Sequence, residues 1–121
     1  MKTLIIIPTY NEKENLKLLL EKIFALGLDT KILVVDDNSP DGTGDLAEAL
    51  AKRDRRITVL HRDIKEGLGK AYLAGFRYAI EHFSSDYIME MDADLSHDPQ
   101  YIPRFLEEIE TCDVVIGSRF Y

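Results

Sequence analysis

The stretch "KILVVDDNSPDGT" at residues 31–43 combines the signals of a strand, a turn and a helix. Its apolar, β-branched run ends in Asp36 and Asp37, as expected of a strand that is buried on both faces. The "SPDG" that follows is strong turn chemistry. Asp41 or Thr43 is suited to cap a helix that begins after the turn.

Similar apolar runs recur along the chain. They are "TLIIIP" (3–8), "ITVLH" (57–61), "DYIMEM" (86–91) and "DVVIGS" (113–118). Helical patterns lie between the runs, at 16–24, 44–53, 68–83 and 102–109, where apolar residues recur three or four positions apart. The resulting order, β-α-β-α-β-α-β-α-β, predicts an open parallel α/β sheet with right-handed crossovers.

Size and composition narrow the possible classes of protein. A chain of 121 residues with 45% hydrophobic residues suits one domain with one core. Its net charge of −7 argues against a general affinity for nucleic acid, which requires a basic face. No apolar run approaches the roughly 20 residues that span a bilayer. Because the first apolar run is too short for a signal peptide, we expect the mature protein to start at Met1.

The single cysteine, Cys112, has no partner in the chain for a disulfide. We expect it to pack as a small apolar group at the start of the last strand. A lone thiol fits a reducing, cytoplasmic location.

Polar and charged residues are concentrated directly after the predicted strands. They form the segments 8–12, 36–43, 61–71, 92–99 and 117–121. Ligands of open parallel sheets bind beyond the carboxyl ends of the strands. The sequence therefore predicts a binding site along this edge.

Asp92 and Asp94 are the leading candidates for a metal site. Because strand side chains alternate, residues at i and i+2 point to the same side, where two carboxylates repel unless a cation or hydrogen-bond donors lie between them. Such oxygen ligands suit Mg²⁺ or Mn²⁺ held jointly with substrate phosphates. The alternative is an acidic loop that caps a helix, which is the role expected of Asp98 before Pro99. A lone loop histidine such as His97 is expected to be neither ligand nor catalyst.

The residues after the first two strands suit a nucleoside. Asp37 is predicted to accept hydrogen bonds from a ribose or a base. Tyr10 and Glu12 could stack on a base and bond to it, whereas Asn11 is expected to cap the first helix. The segment 37–48 nearly fits a calcium-binding EF-hand loop, which we reject because a strand precedes it and Pro40 interrupts it.

Two further segments remain ambiguous. "EGLGKA" (66–71) matches neither the P-loop nor the dinucleotide pattern, so Gly67 and Gly69 either bring backbone close to a ligand or form a flexible turn. Arg119, after the fifth predicted strand, either contacts a diphosphate or a sugar or is a solvated arginine. The sequence contains no G-x-S-x-G nucleophile motif and no zinc-ligand spacing.

Several segments together resemble those of the family 2 glycosyltransferases, and within them the dolichol-phosphate (polyprenol-phosphate) mannose synthases. The segments are "IIIPTYNEKENL", "ILVVDDNSPDGT", "GLGKAYLAGF", "MDADLSHDP" and "VIGSRF". The resemblance covers essentially the whole chain in the right order. It implies a Rossmann-like GT-A fold with helices on both faces of a mostly parallel sheet. The implied activity is metal-dependent transfer of mannose from GDP-mannose to dolichyl or polyprenyl phosphate, with inversion.

The resemblance also implies roles for individual residues. The residues that would line the nucleoside pocket are Pro8, Tyr10, Glu12, Val35 and Asp37. Asp92, Ala93 and Asp94 match the D-x-D motif, whose carboxylates would serve catalysis by holding Mg²⁺ or Mn²⁺ at the diphosphate, while the Ala93 backbone would face the sugar nucleotide. Arg119 matches the arginine of the G-[ST]-R segment, which contacts the donor. Ser96 stands where some relatives have Gln near the metal.

By this resemblance, residues 1–121 form a single nucleotide-sugar-binding domain that lacks the acceptor-binding C-terminal part. We therefore expect donor binding rather than independent turnover. A cytoplasmic location is implied, or a peripheral one at the cytoplasmic membrane face through the lipid acceptor or missing segments. The uncovered last strand could pair with a second copy to form a homodimer.

Other activities remain open at this point. A UDP-glucose donor and a non-catalytic nucleotide-binding module are both compatible with the residues. A nucleotidyltransferase could use the same sheet and acids, but it usually carries a Gly-rich, basic loop after the first strand, and "PTYNEKEN" contains no glycine. A dehydrogenase is disfavoured because the dinucleotide fingerprint is absent.

Overall fold

The computed structural model describes residues 2–63 and 65–115, and it confirms the alternation of strands and helices. The elements are β1 (Thr3–Thr9), α1 (Lys13–Phe24), β2 (Thr30–Asp36), α2 (Thr43–Arg53), β3 (Ile57–His61), α3 (Leu68–His82), β4 (Tyr87–Glu90) and α4 (Ile102–Ile109). A short 3-10 helix, Pro99–Tyr101, leads into α4. Residues 113–115 of the predicted fifth strand are not in a strand, and its other residues lie outside the described part.

The four strands form one parallel sheet in the order β3-β2-β1-β4. Strands β2 and β3 lie on one side of β1, and β4 pairs with the other side of β1. This change of direction creates a topological switch point, and the crevice beyond the strand ends is where ligands of such sheets bind. The fold therefore places β1 between the two groups of predicted site residues.

Both faces of the sheet are covered by helices. On one face, α1, α2 and α4 pack against a core that includes Ile5, Ile7 and Val34. On the other face, α3 packs against Leu4, Ile6, Leu33 and Val35. Nearly every residue of β1 and β2 is buried, which explains why their sequences are almost continuously apolar.

The predicted apolar stripes of the helices are largely confirmed. Leu16, Leu19, Leu20 and Ile23 of α1 are buried. In α3 the buried residues are small, and a Cβ added to Gly75 would lie 2.7 Å from Ile6 Cγ2. Gly75 therefore lets α3 approach the sheet closely. Leu68, placed on the same stripe, is instead half exposed, because it begins α3 one turn before the first buried residue, Ala71.

Cys112 corrects a second expectation. It is exposed and follows the turn at residues 110–111 after α4, rather than packing in a strand. Its amide N–H donates to the carbonyl of Ile109, which closes the end of the helix. Among the described residues, no helix has the length and apolar character needed to cross a membrane.

Candidate functional site

The candidate site lies beyond the carboxyl ends of β1, β2 and β4. Thr9 ends β1 directly opposite Asp36, the last residue of β2, and Pro8 lies opposite Val35. Strand β4 ends earlier, with Glu90 opposite Ile6, so the chain after Glu90 continues beside the last residues of β1. The Met91 N–H still donates to the Ile6 carbonyl (3.0 Å). Pro8, Val35, Asp37 and the Asp92–Asp94 segment therefore lie along the same edge.

Asp36 is a buried carboxylate that organises the end of β2. Its Oδ1 accepts hydrogen bonds from the hydroxyls of Thr9 (2.7 Å) and Ser39 (2.6 Å), and its Oδ2 accepts from the Ser39 N–H (3.1 Å). A Cβ on Gly44 would lie only 2.8 Å from Oδ2, so the start of α2 packs closely against this carboxylate. These contacts leave Asp36 2% exposed and give it a structural role.

The loops after β1 and β2 are tied together by side-chain bonds to backbone N–H groups. The N–H of Asn11 donates to Ser39 Oγ (3.1 Å), that of Glu12 to Thr43 Oγ1 (3.0 Å), and that of Lys13 to Asp41 Oδ2 (3.2 Å). Asp41 also accepts from the N–H and the hydroxyl of Thr43. The Thr43 hydroxyl and the other donors lower the pKa of Asp41. The loop therefore stabilises the start of both helices.

These bonds correct one prediction and refine another. Asn11 does not cap α1: its backbone is left-handed (φ 57°), and its side-chain carbonyl accepts from the Asp41 N–H (3.3 Å). The start of α1 is instead satisfied across the fold by Asp41. Gly42, not Asp41 or Thr43, is the N-cap of α2, and its φ of 89° suits glycine. The turn chemistry of "SPDG" is thus used to join two loops.

Asp37 directly follows Asp36 at the end of β2 and is paired with a cation, Arg62. Asp37 is 5% exposed, and its carboxylate accepts a hydrogen bond from Arg62 Nη1 (3.2 Å to Oδ1). The backbone N–H of Asp37 donates to the Thr9 carbonyl (3.1 Å). Burial raises the pKa of Asp37 in spite of the opposing charge of Arg62. Arg62 also approaches Glu66, at 3.8 Å, and Glu66 pairs with Lys70 at 3.0 Å.

Tyr10 and Glu12 occupy the loop after β1. The Tyr10 ring is 36% exposed and lies under the Lys65 ammonium, 4.3 Å from the ring centroid. A partly exposed aromatic ring is suited to stack on a base. Glu12 is the N-cap residue of α1, and its Oε2 accepts from the Asn15 side chain (3.2 Å), so part of its hydrogen-bonding capacity is used within the helix.

Asp92 is held on both sides by neighbouring groups. Its Oδ1 accepts from the Tyr72 hydroxyl (2.8 Å), and its N–H donates to His97 Nδ1 (3.1 Å). His97 Nε2 lies 3.7 Å from Asp92 Oδ2, beyond hydrogen-bonding distance. Burial, and then the bond to Asp92, raise the pKa of Tyr72 well above its usual value, so the phenol remains a donor.

Asp94 is exposed, unlike its neighbour Ala93, which is 3% exposed. Asp94 Oδ1 accepts from the Ser96 N–H (3.0 Å), and hydrogen bonds from Ser96 lower the pKa of the carboxyl. The argument that Asp92 and Asp94 share a side by strand alternation does not apply. Strand β4 ends at Glu90, residues 93–94 form a turn, and Leu95 has a left-handed backbone (φ 65°).

The oxygen ligands of the two carboxylates are chemically suited to a divalent cation. Asp92 Oδ2 and Asp94 Oδ2 have no hydrogen bond among the described residues, so each acid keeps one oxygen available. Within residues 2–63 and 65–115, no group of three or more His, Cys, Asp or Glu side chains is placed to hold a metal. Mg²⁺ is commonly bound by one or two carboxylates, with substrate phosphates and water completing its coordination.

The remaining candidates have varied outcomes. Asp98 caps the 3-10 helix as predicted, because its Oδ1 accepts from the Gln100 N–H (2.9 Å) and Pro99 follows it. The Gly67 backbone has a φ of 100°, and no atom of the described residues lies within 4 Å of a Cβ added to Gly67 or Gly69. Arg119 lies outside the described residues.

Comparison with known proteins is decisive for the family. Residues 4–121 match the glycosyl transferase family 2. The chain belongs to this family. Structures of other glycosyltransferases share its fold, which confirms the predicted Rossmann-like GT-A architecture.

This family 2 chain is similar over nearly its whole length to three curated proteins. It is 53% identical over 119 residues to the undecaprenyl-phosphate mannosyltransferase of Micrococcus luteus, and this alignment covers 98% of the chain and 49% of that protein. It is 50% identical over 121 residues to the polyprenol monophosphomannose synthase of Mycolicibacterium smegmatis (98% and 45%). It is 43% identical over 123 residues to the dolichol-phosphate mannosyltransferase of Pyrococcus furiosus (99% and 34%). The chain thus spans less than half the length of each.

Two solved structures illustrate the fold. A mannosyltransferase from Pyrobaculum calidifontis, in complex with GDP-Man and Mn²⁺, aligns with a TM-score of 0.66 and 25% identity over 76% of the chain and 27% of that protein. The glucosyl-3-phosphoglycerate synthase of Mycobacterium tuberculosis, in complex with Mn²⁺, UDP and phosphoglyceric acid, aligns with a TM-score of 0.68 and 20% identity over 93% and 40%. The second likeness concerns the fold alone.

The structure adds residues that sequence analysis did not single out for the site. Thr9 and Arg62 bind the two carboxylates after β2, and Tyr72 binds Asp92. Tyr72 falls within the predicted helical pattern 68–83, and helical periodicity gives no sign of a hydroxyl that bonds to another segment. Arg62 lay inside a polar segment already assigned to the site edge, but its partner depends on the pairing of β2 with β3.

Proposed function

We propose that this chain carries the donor site of a mannosyltransferase that moves mannose from GDP-mannose to dolichyl or polyprenyl phosphate. The observation that carries the proposal is the placement of Asp92 and Asp94 at the switch point beside β1, opposite the Asp37 loop. Curated relatives that are 43–53% identical and named for polyprenol, undecaprenyl or dolichol phosphate and for mannose support the choice of sugar and acceptor.

In this proposal the nucleoside binds on the β2 side of β1. The residues that would line its pocket are Pro8, Tyr10, Glu12, Val35 and Asp37. Tyr10 presents an exposed ring for stacking, and the buried Asp37 carboxylate accepts hydrogen bonds from the nucleoside. The charge of Arg62 opposes the effect of burial, which raises the pKa of that carboxyl. Pro8 and Val35 are buried, so they supply shape and backbone rather than charge.

The diphosphate and the sugar would lie on the β4 side. Asp92 and Asp94 would hold Mg²⁺ or Mn²⁺, each through its uncommitted Oδ2, with the Ala93 backbone facing the sugar nucleotide and Arg119 contacting the donor. When bound, the cation would neutralise the negative charge that develops on the departing GDP. The presence of Mn²⁺ in the related mannosyltransferase structure supports a divalent ion.

The transfer needs no strong protein base. A phosphate monoester is largely ionised near neutral pH, so an acceptor oxygen can attack the sugar directly. The new bond joins that oxygen to C1 of mannose, while the bond from C1 to the β-phosphate oxygen breaks and its electron pair leaves with GDP. Attack from the face opposite the leaving group inverts the configuration at C1. Asp92 and Asp94 would serve this step by holding the divalent cation.

The proposal is tested by calorimetric titration of the chain with GDP and with UDP, each with and without Mn²⁺. We expect GDP to bind more tightly with Mn²⁺ and to be preferred over UDP. A preference for UDP would retain the role of the acids but reassign the sugar. Absence of binding by either nucleotide, in a chain shown to be folded by circular dichroism, would contradict the proposal.

The acceptor also suggests where the reaction takes place. Because a polyprenyl phosphate resides in a membrane, we propose peripheral contact at the cytoplasmic face through the lipid acceptor. Co-sedimentation with vesicles that contain polyprenyl phosphate, compared with vesicles that lack it, tests this contact.

A further inference from the structure

Tyr72 connects helix α3 to the loop that carries the candidate metal ligands. It lies in the second turn of α3, directly after the buried Ala71, and is itself half-buried. Its hydroxyl crosses to the chain segment after β4 and donates to Asp92 Oδ1 over 2.8 Å. The bond therefore joins the helix that covers one face of the sheet to a loop outside the sheet.

The surroundings of Asp92 leave it little rotational freedom. Its backbone N–H is bound to His97 Nδ1, and Oδ1 is occupied by Tyr72. Oδ2 lies 3.7 Å from the nearest ring nitrogen of His97, which is too far for a hydrogen bond. One oxygen is thus committed to the protein and the other remains for a ligand.

We propose that Tyr72 is a positioning residue that fixes the Asp92 carboxylate so that Oδ2 alone is presented to the divalent cation. The inference rests on the proposed function, because it assumes that Asp92 binds the cation at the donor site. Hydrogen-bond partners of ligating carboxylates orient the ligand, and their loss typically weakens metal binding by about 10- to 100-fold. Without the hydroxyl, Asp92 could rotate and would bind the cation less tightly.

The test compares Tyr72→Phe with the matched control Tyr78→Phe. Both tyrosines belong to α3 and are partly buried, but the Tyr78 hydroxyl has no hydrogen bond among the described residues. Each variant is titrated with Mn²⁺ alone, with GDP alone, and with GDP in the presence of Mn²⁺. We expect Tyr72→Phe to reduce Mn²⁺ affinity, and the gain in GDP affinity that Mn²⁺ provides, by about 10-fold.

GDP affinity without Mn²⁺ should be unchanged in Tyr72→Phe, and Tyr78→Phe should match the wild type throughout. An equal loss of GDP affinity with and without Mn²⁺ would overturn the inference, because Tyr72 would then act on the nucleotide or on the fold. Unchanged Mn²⁺ affinity in Tyr72→Phe would also overturn it. If the wild type binds no GDP under any condition, the proposed function fails, and the Mn²⁺ titrations alone still decide the role of Tyr72.

Discussion

The Thr9 hydroxyl donates a hydrogen bond to Asp36 Oδ1 over 2.7 Å, at the position where β1 and β2 end side by side. Asp36 also receives both donors of Ser39, and Ser39 Oγ in turn accepts from the Asn11 N–H. A single buried carboxylate thus fixes the geometry of both loops that would contact a nucleoside. The contribution of Asp36 to the stability of the fold can be measured separately from that of the adjacent Asp37.

Replacing Asp36 by Ala should destabilise the fold. The substitution leaves the Thr9 hydroxyl and the Ser39 donors without their acceptor in a buried position, which we expect to cost about 2–4 kcal/mol. Urea unfolding followed by circular dichroism measures this loss. Asp29→Ala, at an exposed position, is the control and should change the free energy of unfolding by less than about 0.5 kcal/mol. Equal effects of the two substitutions would contradict the assigned role.

Gly44→Ala should destabilise the protein although alanine favours helices. A Cβ at this position would lie 2.8 Å from Asp36 Oδ2 and 3.3 Å from His61 Cε1, and the three hydrogen bonds on Asp36 prevent it from moving away. We expect a loss of about 1–3 kcal/mol. In Gly69→Ala, where no atom of residues 2–63 or 65–115 lies within 4 Å of the added Cβ, we expect a gain of up to about 1 kcal/mol. Thermal unfolding of both variants tests the contrast.

Asp94→Ala should abolish the metal dependence of GDP binding. Asp94 is exposed, so the substitution should scarcely affect stability, yet it removes one of the two carboxylates proposed to hold the cation. Calorimetry should show that GDP binds Asp94→Ala equally with and without Mn²⁺. Asp98→Ala, which removes a helix cap in the same loop, should cost about 1 kcal/mol of stability and keep the metal dependence. Retained metal dependence in Asp94→Ala would disprove its assignment as a ligand.

Arg62→Met should destabilise the protein in a pH-dependent way. Burial already raises the pKa of Asp37, and without Arg62 that pKa should rise further. A carboxyl whose pKa is higher in the folded than in the unfolded state stabilises the protein most at a pH below its unfolded pKa, near 3.8. That stabilisation is lost as the pH rises through the folded pKa. The deficit of the variant should therefore be largest at neutral pH, about 2–3 kcal/mol, and should shrink toward pH 4.

Urea unfolding at several pH values measures this dependence, and Arg55→Met, at an exposed arginine, is the control. A deficit that is constant across pH would show that Arg62 stabilises the fold by packing rather than by its charge on Asp37.

The sequence was informative where local pattern and burial coincide. Strands β1 and β2 are apolar over nearly their whole length because helices cover both sheet faces, so their limits were predicted within one residue. Asp98 was assigned correctly because a helix cap depends on the next few residues alone. The location of the polar segments along one edge of the sheet was predicted from the parallel order of the strands.

Contacts between distant segments could not be predicted from such patterns. The start of α1 is satisfied by Asp41, which is far along the chain, and this long-range bond left Asn11 free to adopt a left-handed backbone. The side chains of Asp92 and Asp94 are arranged by a turn after β4, and Tyr72 reaches Asp92 from another element. These relationships depend on tertiary packing, which periodicity does not encode.

The register of β1 has a consequence for the order in which the protein forms during synthesis. Thr3 pairs with Thr30 on one side and with Tyr87 on the other, so the partner on the second side emerges from the ribosome much later. The loops that carry Tyr10 and Asp37 can therefore become ordered on a nascent three-stranded sheet, whereas the segment with Asp92 and Asp94 must dock afterwards. Pulse-labelling hydrogen exchange should show protection of the Ile32 amide before that of Met91.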